Sequence, residues 1–560
     1  EARQTEDALR LLASLRDLDA CALAALLVAR GLPMRGVPQL IDGVELLLRP
    51  ERVDAALARL GWRMCRLLDE GDPLALEQAR RLGLAATGDP SGRLEPLLVV
   101  QERLARLRLP LPQAQGPAPA ESGERAVVAG GLAADLLELL DAEPFPVRAN
   151  RAEAPPGVGE MRRAAGGLAS SAEELTALAA LMHRSGLLGV VKDGSGLRRA
   201  PTAAGRSFPD SETPERWRVL AEAWLAALPL PREGAGLLDE PAVRRSAALL
   251  GIADPDGRPG PIGLELLREG AEPATESLRR HLPEPADGVY VLPDLSIVAP
   301  GPLRAAEEAQ LRLLARVERR GMAATLRIDP ARIERSLNAG GGQAPLRETL
   351  DRISLNGVPQ PVDYLLATAA RRHGRVRVRS RAVGESGALV RALESTDGER
   401  LAVDRTLSPL ALRRGTDGSF TTPVDPRTAL AALLAAGYPA AAEAPDGRLC
   451  EETAPTAAPP RTEAPPKAAV ELAEHWLAET RDDGQGGRHL LLRRRLELAR
   501  RAKRPVRLRI ALPGGAVREL ELVPTSVLPA RMRGRDTSAD VERTLPLDAV
   551  VEAWETQAPA

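Results

Sequence analysis

Four arginines at alternate positions, Arg375, Arg377, Arg379 and Arg381, are the residues of this chain best disposed to do chemistry. With Val376, Val378 and Ser380 between them, the period of two reads as a half-buried strand with one strongly basic face. Guanidinium groups in a row are donors for phosphate or carboxylate oxygens, which they grip in pairs. The helix that must deliver this strand is legible too. Val362, Leu365, Leu366 and Ala369 recur at helical spacing. Pro361 suits a first turn, Asp363 sits at the positive end of the dipole, and Arg371, Arg372 and His373 sit at the negative end. Gly374 is placed to close the helix in the left-handed conformation. Arg371 and Arg372 thereby join the strand arginines as candidate phosphate contacts.

The rest of the chemical inventory points away from catalysis. A motor ATPase needs backbone amides and a lysine on the ATP phosphates, carried by Gly-x-x-x-x-Gly-Lys-Ser/Thr. The chain has only three lysines: Lys192 precedes Asp-Gly, Lys467 follows Pro-Pro, and Lys503 lies in an arginine run. Cys21, Cys65, Cys450 and the five histidines are scattered without metal-ligand spacing. No nucleophile elbow is present. The expectation is therefore no cofactor and no enzyme activity. Five Trp, three Tyr and three Phe are too few for a base-stacking surface interleaved with arginine, and Tyr290 and Tyr364 read as core.

At 560 residues the chain exceeds a single core, and about three to five domains are expected. Its 76 basic and 77 acidic residues nearly cancel, so any surface for a polyanion must come from local segregation of charge. Arginine in place of lysine, with abundant Ala, Gly, Pro and Leu, is also the composition a GC-rich genome imposes. The separated cysteines fit a reducing compartment. No apolar run of about 18 residues stands out, so no membrane partner is expected, and the location read from this is cytoplasmic, nucleoid association included.

The fold class expected is α+β and multidomain. Residues 1–110 read as a helical bundle, followed by a Pro-rich linker over 110–124. Residues 131–208 read as winged-helix-like: helices over Leu132–Leu140, Gly159–Ala165 and Ser171–Ser185, then a hairpin wing. Glu173 and Glu174 stand where a recognition helix would meet phosphates, which favours a packing role. The wing, with Lys192, Arg198, Arg199 and Arg206, is the better DNA contact. Residues 213–286 are helical, with Trp217 and Trp224 as core anchors. Residues 287–447 form an α+β domain, with one long helix from Leu303 through Val317 and another near Gly387–Glu394. A flexible linker spans 451–468. Residues 470–560 read as a small β-rich, SH3-like module. Between Arg488 and Arg509 ten basic residues accompany a single acid, Glu497. Arg493, Arg494, Arg495, Arg500, Arg501 and Lys503 there are either an anion-binding surface or a solvated helix face, and both readings stand.

Residues 288–447 resemble the helicase-associated domain that precedes the motor in XPB-type repair and transcription helicases, a domain also found in motor-less actinobacterial proteins. The resemblance is carried by Tyr290-Val-Leu-Pro-Asp-Leu295, Pro300-Gly-Pro302, Val317-Glu-Arg-Arg-Gly321, Val358-Pro-Gln-Pro-Val-Asp-Tyr364 and Ala370-Arg-Arg-His-Gly-Arg375. It implies contacts with DNA or with partner subunits, and no catalytic residues. Residues 488–554 are more faintly similar to a WYL domain, although the Trp-Tyr-Leu triplet itself is absent.

The function expected is that of a non-catalytic DNA-binding accessory protein in DNA repair or transcription. Its arginine-rich surfaces would contact duplex or forked DNA with little sequence preference. Two alternatives are a scaffold for a separate helicase, and a winged-helix regulator with a ligand-sensing WYL-like module.

Overall fold

Side-chain caps fix where the first helices begin. Asp19 accepts a hydrogen bond from the Ala22 amide and Asp72 accepts from Leu74 and Ala75, each serving an otherwise orphaned N–H. The N-terminal elements are α1 (Ala2–Arg16), α2 (Ala20–Ala29), α3 (Leu40–Leu47), α4 (Pro50–Asp69), α5 (Pro73–Arg81), β1 (Ala85–Thr87), β2 (Leu94–Pro96) and α6 (Leu98–Leu107). Gly61, at φ 77°, breaks α4 into two helical pieces. Buried Arg30 donates to the carbonyls of Leu47 (2.6 Å) and Leu82 (2.5 Å), each at the end of a helix, which satisfies groups the backbone cannot. The short β1–β2 ribbon is absent from the all-helical expectation. The computed structural model describes residues 2–33, 37, 39–87, 93–107, 111–151, 154–168, 170–193, 196–231, 236–338, 343–381, 386–450, 457–458, 465–482, 492–493, 496–497, 499–501, 503–512 and 516–555. These fall into two compact units, one of residues 1–110, 229–234 and 463–560, the other of 111–228 and 235–462.

In the second unit α7 (Pro119–Ala142) starts inside the segment expected as linker, because Pro119 is tolerated in a first helical turn. Then follow β3 (Phe145–Pro146), α8 (Val158–Leu168), α9 (Ala172–Arg184), β4 (Leu188–Asp193), β5 (Gly196–Pro201), α10 (Ala203–Ser207), α11 (Thr213–Ala226), α12 (Pro241–Leu249), α13 (Pro261–Glu269) and α14 (Ala271–Arg279). From α7 to β5 the order is helix, strand, two helices, hairpin, with the sheet ordered β3-β5-β4, as in a winged helix. Ser171 and Glu174 form the capping box that starts α9. Ala457 and Ala458, in the stretch expected as a flexible linker, bridge to Thr202 and Val190 at the base of the hairpin. Trp217 and Trp224 are buried and donate their indole N–H to Leu250 and Val243 carbonyls, as core anchors do.

The region expected as one α+β domain has two cores. The first lobe contains β6 (Tyr290–Val291), β7 (Ser296–Ala299), α15 (Ala305–Arg312), β8 (Ala315–Arg319), β9 (Ala324–Ile328), α16 (Pro330–Asn338), α17 (Gln343–Ile353) and α18 (Gln360–Arg372). Its antiparallel sheet is ordered β6-β7-β9-β8, and Val291, Ile297, Leu326 and Leu366 meet in its core. The long helix expected through Val317 ends at Arg312, because the alternating residues that follow pair with β9. The second lobe contains β10 (Val376–Ser380), β11 (Ala388–Ala392), α19 (Ser395–Val403), β12 (Arg413–Arg414), β13 (Phe420–Thr422), α20 (Pro426–Ala435) and β14 (Ala440–Ala442). Its sheet is ordered β12-β13-β11-β10-β14, with Val376, Val378, Val390 and Phe420 in a separate core. The helix expected near Gly387–Glu394 is instead strand β11, paired along its length with β10.

A buried ion cluster joins the first winged-helix helix to the first lobe. Asp135 of α7 accepts from Arg312 (2.6 Å) and Arg320 (2.7 Å), while Glu308 accepts from Arg216, Arg312 and Arg320. Glu138 accepts from Arg332. Burial pushes the Glu308 carboxyl up, but Arg312, Arg320 and Arg216 pull it further down, well below the usual carboxylate range. The same balance holds Asp135 low. A mid-helix glycine explains how Arg320 fits, while its neighbour Gly130 makes only ordinary contact with Arg216. A Cβ on Gly131 would stand 2.1 Å from Arg320 Nη1, and one on Gly130 would stand 3.4 Å from the Arg216 side chain. Gly131→Ala is accordingly expected to lower stability by about 1–3 kcal/mol despite the better helix propensity of alanine, measurable as a shift of the urea midpoint.

In the first unit α21 (Lys467–Asp482) packs into the N-terminal bundle rather than with the C-terminal strands. Trp476 is fully buried there, donates to the Val37 carbonyl (3.2 Å) and lies where a side chain on Gly43 would be. The last strands, β15 (Val506–Ala511), β16 (Val517–Val527), β17 (Arg531–Asp536), β18 (Glu542–Pro546) and β19 (Val550–Glu555), form one open antiparallel sheet ordered β18-β17-β16-β15-β19. Helical residues between 492 and 501 cover one face through Leu492, Leu496 and Ala499. Among the described residues no helix is long and apolar enough to cross a membrane.

Candidate nucleic-acid interface

Alternation along β10 sends Val376 and Val378 into the second lobe and turns Arg377 and Arg379 to its outer face. Antiparallel register then sets Arg377 directly opposite Arg391 of β11. Like charges in that position repel at close range. Glu443, just beyond β14, offsets the repulsion. Its carboxylate, 2% exposed, accepts from Arg377 Nη1 (2.9 Å) and from Arg391 Nη2 (2.8 Å). Arg377 also donates to the Gly447 carbonyl (2.9 Å). Arg391 remains half exposed. The next row across the sheet runs Arg379, Leu389, Thr421, Arg413, each opposite the next. Arg413 is exposed, Arg379 is half-buried, and neither pairs with an acid among the described residues.

The first lobe repeats the device. Arg316 of β8 stands opposite Arg327 of β9, and Glu318 accepts from both, at 3.2 and 2.8 Å. Both arginines are 40–49% exposed. Each lobe therefore presents an open sheet face with two opposed guanidiniums held by one carboxylate. The result is a fixed, net-positive pair, of which Arg391, Arg316 and Arg327 are 40–49% exposed and Arg377 24%, a geometry suited to phosphate oxygens.

The other expected contacts divide. Arg375 is taken up by Glu394 and Asp397, which removes it from the basic face. Arg371 is exposed and donates to Thr368, Arg372 is half-buried, and Arg381 is exposed. Gly374 closes α18 at φ 74°, as its position implies. In the winged helix the expectation for Arg199 is corrected: it is completely buried, bonded to Glu160 and to the Ala154 carbonyl (2.9 Å), and cannot reach a ligand. Arg206 pairs with Asp141 and Arg198 donates to the Pro144 carbonyl, which leaves Lys192 exposed on the wing. On α9 the exposed residues are Glu173, Glu174 and Arg184, and Glu173 pairs with Arg245 of the α12 helix that packs beside it. In the basic run, Arg500 and Arg501 share Glu497, Arg493 is half-buried, Lys503 is exposed, and Arg494 and Arg495 lie outside the described residues. The sheet beside that run answers Arg507 with Glu521 and Arg509 with Glu519, so it carries alternating charge. Tyr290 and Tyr364, expected in the core, are 44% and 69% exposed.

Arg391, Arg413, Arg316, Arg327 and Glu443 go unmarked in the sequence, and Glu318 stands there only as part of the Val317–Gly321 motif. Ala388-Leu-Val-Arg-Ala392 is apolar except for Arg391, so no polar–apolar alternation marks it, and only pairing with β10 shows which way Arg391 faces.

Residues 289–416 match a family model described as the helicase conserved C-terminal domain. That segment holds twenty-one arginines and fourteen acids, a surplus of seven positive charges in a chain whose net charge is −1. No curated protein matches the chain. Among solved structures, proteasome accessory factor B/C (PafBC) of Arthrobacter aurescens aligns with 96% of this chain and 84% of its own at 14% identity, with a TM-score of 0.12. A likeness at that score carries nothing about fold or function. A segment of the chain is thus similar to the helicase conserved C-terminal domain, and the two arginine-paired sheet faces lie within or beside that segment.

Proposed function

We propose that the chain is a non-catalytic nucleic-acid-binding protein, an accessory to DNA repair or transcription akin to the XPB-type helicase-associated proteins its sequence resembles. The two open sheet faces would hold DNA phosphates. One observation carries this reading: two separate sheets each keep an arginine directly opposite an arginine on an exposed face. Each pair shares a single glutamate, so one positive charge is left over on each face, which a polyanion can use. Binding of this kind depends steeply on salt and weakly on sequence. With the full chain and a labelled duplex or forked DNA, the logarithm of affinity is expected to fall linearly with the logarithm of salt concentration, with a slope of about −2 or steeper. Affinity that is absent, or indifferent to salt, overturns the reading. The acidic tip of α9 and the cover of α12 favour a second role for the winged helix, as a protein contact for a separate helicase. Retention of a helicase by the full chain, with no DNA binding at any salt, would put that role first.

A further inference from the structure

The first lobe's open face carries a row that the phosphate-binding pairs leave unused. Register places Tyr290 of β6, Val298 of β7, Thr325 of β9 and Arg319 of β8 opposite one another, strand to strand. The register shift between Val317 and Arg319 is a bulge, and it brings Arg319 to the same face as Arg316 although the two are three residues apart. Leu355, 48% exposed, lies 3.1 Å from where a Cβ on Gly288 would be. Gly288 is two residues before Tyr290 and so on the same side of the chain. The free edge of β6 is closed by Asn356, whose amide group hydrogen-bonds the Val291 backbone both ways, so another strand cannot pair there. What is left open is a surface of side chains. Trp62, Trp217, Trp224, Trp476, Phe145, Phe208, Phe420 and Tyr438 are all buried, whereas Tyr290 on this face is 44% exposed and Tyr364 on α18 69%. Glu318, the acid on this face, is already held by Arg316 and Arg327. Arg319 ends the row as a cation with no acid partner among the described residues.

We propose, resting on the nucleic-acid reading above, that this row is a stacking site for single-stranded nucleic acid, with a base on the ring of Tyr290 and backbone phosphates at Arg319 and Arg316. A base offers its face to a side-chain ring only when it has left its own stack, so the site selects unpaired strand over duplex. The row's ending in an unneutralised arginine, within a segment carrying a surplus of seven positive charges, favours a polyanion over a protein surface.

The test is fluorescence anisotropy of the full chain with labelled oligo(dT) of about 20 nucleotides and with a duplex of equal length. Tyr290→Ala is expected to weaken oligo(dT) binding about fivefold or more and to leave duplex binding within about twofold. Its salt slope should equal that of the unaltered chain, because every phosphate-binding arginine is kept. Tyr364→Ala, which removes an even more exposed ring from α18, is expected to change neither. Equal losses for both DNAs, an equal loss from Tyr364→Ala, or no loss from Tyr290→Ala overturns the inference. So does loss of a protein partner from Tyr290→Ala with DNA binding intact, which would assign the face to protein. If the unaltered chain binds DNA and Tyr290→Ala does not matter, only the stacking site falls. If the unaltered chain binds no DNA, the broader reading falls with it.

Discussion

Asp135→Ala is expected to cost the unit of residues 111–228 and 235–462 about 3–5 kcal/mol of stability, the largest effect of any single substitution outside the apolar cores. Asp135 is 7% exposed, and the arginines it holds, Arg312 and Arg320, are 4% and 12% exposed. Removing the carboxylate leaves one further positive charge in a cluster with no water to solvate it. The cost is that of an uncompensated charge, not of the ion pair itself. Asp135→Asn should recover part of the loss, because the amide oxygen still accepts one hydrogen bond. The same cluster sets a pH dependence. Asp135 and Glu308 are held below their ordinary values of 3.8 and 4.5 by the surrounding guanidiniums. A carboxylate depressed on folding contributes stability that is complete above its unfolded value and is lost as pH falls through the folded one. Unfolding monitored at stepped pH should therefore show a plateau at neutral pH and a decline that begins near pH 4.5 and continues below 3.8. A profile flat to lower pH would show that the cluster contributes little.

Replacing one arginine of each opposed pair, Arg316→Ala with Arg391→Ala, should separate stability from binding. Each removal leaves its glutamate with one guanidinium, Glu318 with Arg327 and Glu443 with Arg377. The like-charge repulsion across the strands disappears, so folding stability is expected to stay within about 0.5 kcal/mol of the unaltered chain, or to rise. Nucleic-acid affinity should fall by roughly tenfold to a hundredfold at moderate salt, because two preset phosphate donors are gone. A matched loss of stability would instead make the pairs a structural device, with the glutamates as their purpose.

The parts of this fold that were legible in the sequence are those whose signal is local. Helix α18 and strand β10 follow from one apolar stripe, one dipole-matched pair of ends and Gly374. The winged-helix order follows from three periodic segments and a turn. Trp217 and Trp224 are core anchors because their spacing places both on one helix face. The parts that were missed depend on residues far apart in the chain. Glu443 neutralises arginines 52 and 66 positions away. Trp476 fills the N-terminal bundle from 439 positions beyond Val37. Neither interaction leaves a periodic trace. The boundary between the two lobes was also hidden, since both are α+β and Gly374 looks like any helix end. Gly131 did leave a trace: a glycine inside an otherwise strong helical run marks close approach of another group, here the buried Arg320. Composition misled over Tyr290. An aromatic in a motif rich in Val and Leu reads as core, and only the pairing of β6 at a sheet edge turns it outward.

The most direct test of the central claim is the salt dependence of DNA binding by the unaltered chain beside that of the Arg316→Ala, Arg391→Ala chain, each checked for an unchanged melting transition. If the two open sheet faces hold phosphates, the slope of log affinity against log salt should become shallower by about two, since each face then neutralises one phosphate fewer. An identical slope in the two proteins would contradict the assignment and place any binding elsewhere on the molecule.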